Sequence, residues 1–178
     1  MNLEAIVRHY ITNYRPHKQM ELNWFRRQPS LELAIKIVAK AEDQRGKRYS
    51  HQYRITRKAM QEASRILLEK HDVLQRCKSF HELWQRIKIF LGPVTGLGEL
   101  YVYDTALRIG AFLNLLPDRV YLHAGTRTGA KAFGIISRHE EWIEVEELPS
   151  PLRELPPHEV EDILCIYKDK GESPKGCA

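Results

Sequence analysis

Apolar residues recur at steps of three and four along the first part of the chain, and this period predicts amphipathic α-helices. The first helix covers residues 3–14 and should end at Pro16, because proline interrupts a helix. A second helix should follow Ser30 and close at Gly46. A third should begin after Thr56, whose hydroxyl is suited to capping the first turn.

The middle of the chain has the clearest helical period. Ser79 and Glu82 have the spacing of a capping box, which predicts the start of a fourth helix. Gly92 and Pro93 should end that helix, and a fifth begins near Glu99. The apolar positions of the fifth helix follow steps of four and three: Val102, Ala106, Ile109, Leu113 and Leu116.

Two further short helices are predicted after the fifth. Pro117 should open the first of them, which carries Val120 and Tyr121. The glycine-rich stretch 125–129 should separate it from a second helix that continues to Ile136. Residues 142–146 alternate between apolar and polar and predict a short strand.

These elements predict a mainly α fold with at most a minor short strand. Residues 1–147 should form a compact multi-helix domain with a helical hairpin at about 79–116 near its centre. Four prolines between residues 148 and 157 predict an extended connection. The remainder of 148–178 is expected to form a C-terminal helix and a frayed tail from Gly171, packed on the same domain.

The composition is that of a globular protein, because 43% of the 178 residues are hydrophobic and 29% are charged. This excludes a chain that is disordered over most of its length. No stretch approaches the roughly 18 uncharged apolar residues of a membrane-spanning helix. The first residues also lack the basic and apolar regions of a signal peptide. We therefore expect a cytoplasmic protein with no membrane partner.

The charge is distributed unevenly along the chain, although the formal net charge is only +5. Residues 1–80 contain 17 Lys or Arg against 8 Asp or Glu, whereas residues 139–178 contain 4 against 11. A basic first half favours association with polyanions, of which nucleic acid is the most common. The acidic C-terminal part is interpreted as a solvated face, with a protein-binding surface as the alternative.

A short glycine-containing loop joins the fourth and fifth helices. Its sequence is Leu91-Gly-Pro-Val94-Thr-Gly96-Leu-Gly98, and the glycines allow a tight turn. The free N–H groups of Gly98, Glu99 and Leu100 at the next helix start would then point towards a phosphate oxygen, assisted by the helix dipole. The alternative is a tight turn between two helices at which nothing binds.

The stretch from Ser79 to Leu116 resembles the helix-hairpin-helix motif of DNA-binding proteins and repair enzymes. The resemblance rests on Leu91, Val94 and the two glycines Gly96 and Gly98. It implies a contact that holds the phosphodiester backbone and does not read the base sequence.

Within the same superfamily, the DNA glycosylases have a catalytic aspartate in a segment that is similar to Tyr103-Asp104-Thr105-Ala-Leu-Arg108 of this chain. The resemblance implies that Asp104 would stabilise positive charge on the sugar of an extruded nucleotide, or would activate a water molecule. The simpler interpretation is an exposed ion pair between Asp104 and Arg108, which are four residues apart on one helix.

Residues 45–58 are a second candidate for nucleic-acid binding. Six of these fourteen residues are basic, and aromatic rings lie between them. This combination can neutralise phosphates and stack on unpaired bases. The alternative is a solvated connector whose tyrosines pack inwards. The predicted contact residues are Arg45, Lys47, Arg48, Tyr49, His51, Tyr53, Arg54, Arg57 and Lys58.

The stretch 125–129 is a third candidate, a second anion site with Arg127 and Lys131 as its cations. It lacks the glycine and lysine spacing of the nucleotide-binding phosphate loop, so ATP or GTP binding is not supported. The alternative is that Thr126 or Thr128 simply caps a helix.

The cysteines and histidines predict neither a metal site nor a cofactor. Cys77, Cys165 and Cys177 are widely spaced, and no histidine pair has a ligand spacing typical of metal sites. No motif of a known hydrolase is present, although His123 or Asp104 in a cleft could act as an acid or a base.

The sequence therefore favours a nucleic-acid-binding protein, with DNA as the expected partner. It would hold the phosphate backbone with the hairpin 96–100 and the basic segment 45–58. Two alternatives stay open: a divergent DNA glycosylase-like repair enzyme that uses Asp104, and a module that binds another protein.

Overall fold

A computed structural model describes residues 2–136 and 140–170. These residues are mainly helical, which confirms the predicted mainly α fold. None of their helices is long and apolar enough to cross a membrane. The helices are α1 (Leu3–Asn13), α2 (Arg15–Arg26), α3 (Leu31–Ala39), α4 (Arg57–Glu69), α5 (His71–Gln75), α6 (Phe80–Leu91), α7 (Glu99–Leu113), α8 (Ala124–Ala132) and α9 (Pro157–Ile166).

Two short strands form the minor sheet. Strand β1 (Val120–Tyr121) pairs antiparallel with β2 (Trp142–Ile143), which confirms a short strand within residues 142–146. The proline-rich stretch is not wholly extended, because it contains a single 3-10 turn at Leu152–Glu154. The frayed tail predicted from Gly171 lies outside the described residues.

The chain divides into two compact units. The central unit is Lys18–Leu116, and the terminal unit combines Met1–His17 with Pro117–Ala178. The division falls inside α2 and after α7.

In the central unit, α6 and α7 pack against each other, and α3 packs against α4 and α7. The predicted caps position these helices: the side-chain oxygens of Ser30, Thr56 and Ser79 each accept a hydrogen bond from the N–H three residues later. The predicted capping box is incomplete, because the Glu82 carboxylate accepts from the N–H of Lys78. The fully buried core includes Phe25, Ile35, Leu67, Leu83, Ile87, Leu91 and Ile109.

In the terminal unit, α9 packs against α8, β1 and α1. Gly129 on α8 lies directly against the backbone of Leu164 on α9. The absence of a side chain at Gly129 therefore sets the close approach of these two helices. The core of this unit includes Ile6, Tyr10, Val120, Ile143, Leu148, Leu152, Val160, Ile163 and Leu164.

One prediction about the first half of the chain is wrong, and one helix was not predicted. Helix α1 ends at Asn13, before Pro16 as predicted, but Pro16 lies in the first turn of the unpredicted α2, where its missing N–H has no helical partner to lose. Gly46 does not close the second predicted helix, because α3 already ends at Ala39. Gly46 instead adopts a φ of 70° in a separate turn, a conformation that favours glycine.

The prediction for residues 117–136 is also wrong. Residues 120–121 form β1, and α8 runs through the glycine-rich stretch that was expected to be a loop. The N-cap of α8 is His123, whose Nδ1 accepts from the N–H of Gly125, so neither Thr126 nor Thr128 is the cap. A glycine-rich anion loop ahead of a helix therefore does not exist here.

Candidate functional site

An open groove of about 860 Å3 lies in the central unit. One wall is the connection between α3 and α4, and the other is a face of α4. The connection contributes Lys40, Glu42, Gly46, Arg48 and Tyr53. Helix α4 contributes Arg57, Met60, Gln61, Ser64, Arg65 and Leu68, whose spacing of three and four places them on one face.

The groove is basic. Four of its lining residues are cationic and only Glu42 is acidic. Arg65 is paired with Glu62 and Glu69, at 2.6 and 2.5 Å. Within the described parts of the chain, the side chains of Lys40 and Arg57 have no ion pair and no hydrogen bond. These two cations are therefore available to an anionic ligand.

The start of α4 adds to the positive potential of the groove. Arg57 and Lys58 lie in its first turn, which contains no acidic residue. Cations at a helix N-terminus are unfavourable, because the helix dipole is positive there. A bound phosphate would relieve this repulsion, because it pairs with both the cations and the dipole.

Tyr53 is the more exposed of the two tyrosines in the segment 45–58. Its side chain lines the groove and is 55% exposed. Tyr49 is placed differently, because its ring lies under the guanidinium of Arg108, 4.1 Å from the guanidinium carbon to the ring centroid. Tyr53 therefore offers a stacking surface, whereas Tyr49 packs inwards.

A tight turn presents the first cations of the segment. The Asp43 carboxylate accepts from the N–H groups of Arg45 and Lys47, at 2.8 and 2.9 Å. These hydrogen bonds lower the pKa of Asp43. The side chains of Arg45 and Lys47 are exposed, and Arg48 donates to the carbonyl of Ile55. The turn thus fixes the backbone and leaves two cations facing solvent.

Asp104 on α7 lies at the centre of a partly buried polar network. Its Oδ2 is 2.8 Å from His51 Nε2, 2.5 Å from Gln52 Nε2 and 3.3 Å from Arg108 Nη1. Arg108 also donates to Glu21 on α2 at 2.8 Å. The predicted ion pair between Asp104 and Arg108 is therefore present, but it is buried, with side chains 13% and 6% exposed.

This network fastens the connection at residues 49–52 to α7. Burial raises the pKa of Asp104, but the charge of Arg108 and the hydrogen bond with His51 outweigh it and hold that pKa at about 2. Asp104 is consequently ionised at neutral pH, with three donors on its carboxylate. It does not line the basic groove, and its predicted catalytic role stays a prediction.

The hairpin loop is a second exposed feature of the central unit. Gly96 adopts a φ of 92°, which favours glycine, and Gly98 is the N-cap of α7 without a side-chain hydrogen bond. A Cβ atom at Gly98 would meet no atom within 4 Å, so the space in front of the helix start is open. Glu99 and Leu100 follow in the first turn of α7.

The remaining predicted contact residues do not lie in one place. Arg54 and Lys58 are exposed in the central unit, and His51 is occupied with Asp104. In the terminal unit, Lys131 is exposed on α8, whereas Arg127 is 8% exposed and donates to the carbonyl of Leu122. We leave Arg127 out of the candidate interface for this reason.

The sequence did not single out Lys40 or Glu21. Lys40 lies at the end of α3, outside the basic run, and reaches the groove because the chain folds back after Ala41, whose φ is 54°. The face of α4 was recognisable in principle, because Arg57, Gln61, Ser64 and Arg65 follow a polar helical period.

Comparison of the chain with protein families, curated proteins and solved structures finds no match.

Proposed function

We propose that the central unit binds nucleic acid, with DNA as the expected partner. It would hold the sugar–phosphate backbone in the basic groove. The observation that supports this proposal most directly is the groove itself, which two available cations and an exposed tyrosine line together. Cations neutralise phosphates and release counterions, whereas the aromatic ring provides a surface for a base.

The dimensions of the groove fit a short stretch of backbone. Arg57 and Arg65 are eight residues apart on α4, which corresponds to about 12 Å along the helix axis. At about 3.4 Å of rise per nucleotide in one strand, this distance spans three to four nucleotides. The hairpin loop with Gly96 and Gly98 is proposed as a second backbone contact.

Removing the two available cations should weaken binding and its salt dependence. We expect Lys40→Gln combined with Arg57→Gln to reduce the slope of log affinity against log salt by about two, because each phosphate contact contributes about 0.9. Fluorescence anisotropy with duplex and single-stranded oligonucleotides between roughly 50 and 200 mM salt measures this slope.

A control variant that loses the same charge elsewhere distinguishes binding in the groove from general electrostatic attraction. Arg76→Gln combined with Lys78→Gln removes two exposed cations of the central unit that do not line the groove. This control should retain most of the affinity. Equal losses in both double variants would reject the groove as the binding site, and no binding by the unaltered protein at low salt would reject the proposed function.

Tyr53 should contribute to the binding of unpaired nucleotides. We expect Tyr53→Ala to weaken binding of single-stranded oligonucleotides by about 1–3 kcal/mol, the range of base stacking on an aromatic side chain. Tyr53→Phe keeps the ring and should keep the affinity. A Tyr53→Ala variant that binds single strands as tightly as the unaltered protein would exclude stacking on this residue.

A further inference from the structure

The terminal unit brings together three side chains that are typical metal ligands. One ligand atom from each of His123, Glu161 and Cys165 lies within 4.8 Å of the other two. The Nε2 atom of His123 is 2.6 Å from Oε1 of Glu161. His123 and Glu161 are almost completely buried, and Cys165 is half-buried. The cluster is therefore inside the unit but has one edge towards its surface.

Two helices form this cluster. Glu161 and Cys165 are four residues apart on α9, so their side chains lie one above the other on the same face. His123 is the N-cap of α8, and close packing at Gly129 brings α8 against α9. The three ligands thus belong to regular elements that pack tightly, which holds them in position.

A glycine keeps space open beside the thiol and the imidazole. A Cβ atom at Gly125 would lie 3.2 Å from Cys165 Sγ and 3.2 Å from His123 Cε1. Both distances are tighter than ordinary van der Waals contact, so any larger residue would crowd the two ligands. The sequence thus has its smallest residue where the ligand atoms meet.

We propose that His123, Glu161 and Cys165 bind a transition-metal ion of the zinc class. Thiolate, imidazole and carboxylate are all ligands of Zn2+, whereas Mg2+ and Ca2+ prefer oxygen ligands. Three protein ligands leave a fourth coordination position for water or another donor. The proposal concerns the terminal unit and does not depend on nucleic-acid binding by the central unit.

Metal binding at this site displaces protons from its ligands. In the metal-free protein a proton lies between His123 Nε2 and Glu161 Oε1, as their short separation requires. Metal binding at Nε2 displaces this proton. In a neutral imidazole it moves to Nδ1 and the 3.2 Å contact from the N–H of Gly125 is given up, whereas an imidazolium releases it to solvent. The thiol of Cys165 loses its proton to solvent.

A buried ion pair between His123 and Glu161 is the competing interpretation. In that interpretation the Cys165 thiol is a further hydrogen-bond partner of His123, and no metal is needed. The two interpretations therefore differ in what Cys165 does, and the test centres on that residue.

The test uses the full chain, freed of metal with a chelator and titrated with Zn2+ by calorimetry. We expect one Zn2+ per chain and a higher Tm when zinc is present. Titration with Co2+ should give a thiolate-to-cobalt charge-transfer band. Cys165→Ser should abolish this band and weaken zinc binding by at least about 100-fold, because loss of a direct ligand exceeds the loss of an outer partner.

Two other cysteines provide matched controls. Cys77→Ser and Cys177→Ser should leave the cobalt band and the affinity unchanged. If Cys165→Ser does not fold, the unaltered protein still decides, because bound zinc must protect Cys165 from iodoacetamide. Absence of zinc binding below millimolar concentration, or a cobalt band that persists in Cys165→Ser, would overturn the proposal.

Discussion

Replacing Arg108 by methionine should destabilise the central unit by about 3–5 kcal/mol, the usual cost of breaking a buried ion pair from one side. The Arg108 side chain is 6% exposed and contacts Glu21, Asp104 and the ring of Tyr49. Without the guanidinium, two carboxylates would remain close together with no cation between them. Urea denaturation followed by circular dichroism measures the change.

Arg65→Met is the matched control for this prediction. Arg65 also contacts two carboxylates, those of Glu62 and Glu69, at similar distances, but its side chain is 55% exposed. Water screens that pair, so its loss should change the stability far less. If Arg65→Met and Arg108→Met were equally destabilising, burial would not be the source of the effect.

Arg108→Met should also affect the proposed nucleic-acid interface indirectly. Arg108 supports Asp104, which in turn holds His51 and Gln52, and these residues lie between the cations of the basic segment. We therefore expect Arg108→Met to weaken nucleic-acid binding even though Arg108 does not line the groove. Arg108→Lys keeps the charge but cannot reproduce the guanidinium geometry, so it should restore the stability only in part.

The helices that local rules describe well were predictable from the sequence. Ser30, Thr56 and Ser79 were predicted as capping residues and are the caps of α3, α4 and α6. The apolar period also predicted α7. These signals are contained within a few neighbouring residues, so they do not depend on the rest of the fold.

Two parts of the fold were not predictable in this way. Helix α2 was missed because Pro16 was interpreted as an end signal, although proline is equally suited to the first turn of a helix. Strand β1 was missed because a two-residue strand has almost no local signal. It exists through its pairing with β2, which lies about twenty residues further along the chain.

The candidate sites also differ in whether neighbouring residues alone reveal them. The basic segment 45–58 was visible because its charges are consecutive. The polar network around Asp104 joins residues from α2, the connection and α7, and no local pattern indicates that they meet. The cluster of His123, Glu161 and Cys165 was missed for the same reason, since 38 positions separate the histidine from the glutamate. The four-residue spacing of Glu161 and Cys165 was its single local signal.

Gly129→Ala should strongly destabilise the terminal unit. Alanine normally stabilises a helix relative to glycine by about 1 kcal/mol, so helix propensity alone predicts the opposite sign. At this position, however, the added methyl group would overlap the carbonyl group of Leu164, and a backbone atom cannot turn aside as a side chain can. Helices α8 and α9 would have to separate, at a cost of about 1–3 kcal/mol or more.

Gly98→Ala provides the control for Gly129→Ala, because a methyl group there meets no atom within 4 Å. Its unfolding transition should be close to that of the unaltered protein. Separation of α8 from α9 would also move His123 away from Glu161 and Cys165, so Gly129→Ala should bind zinc less tightly than Gly98→Ala. A Gly129→Ala protein of unchanged Tm would show that the two helices can adjust, and that their contact does not hold the three ligands together.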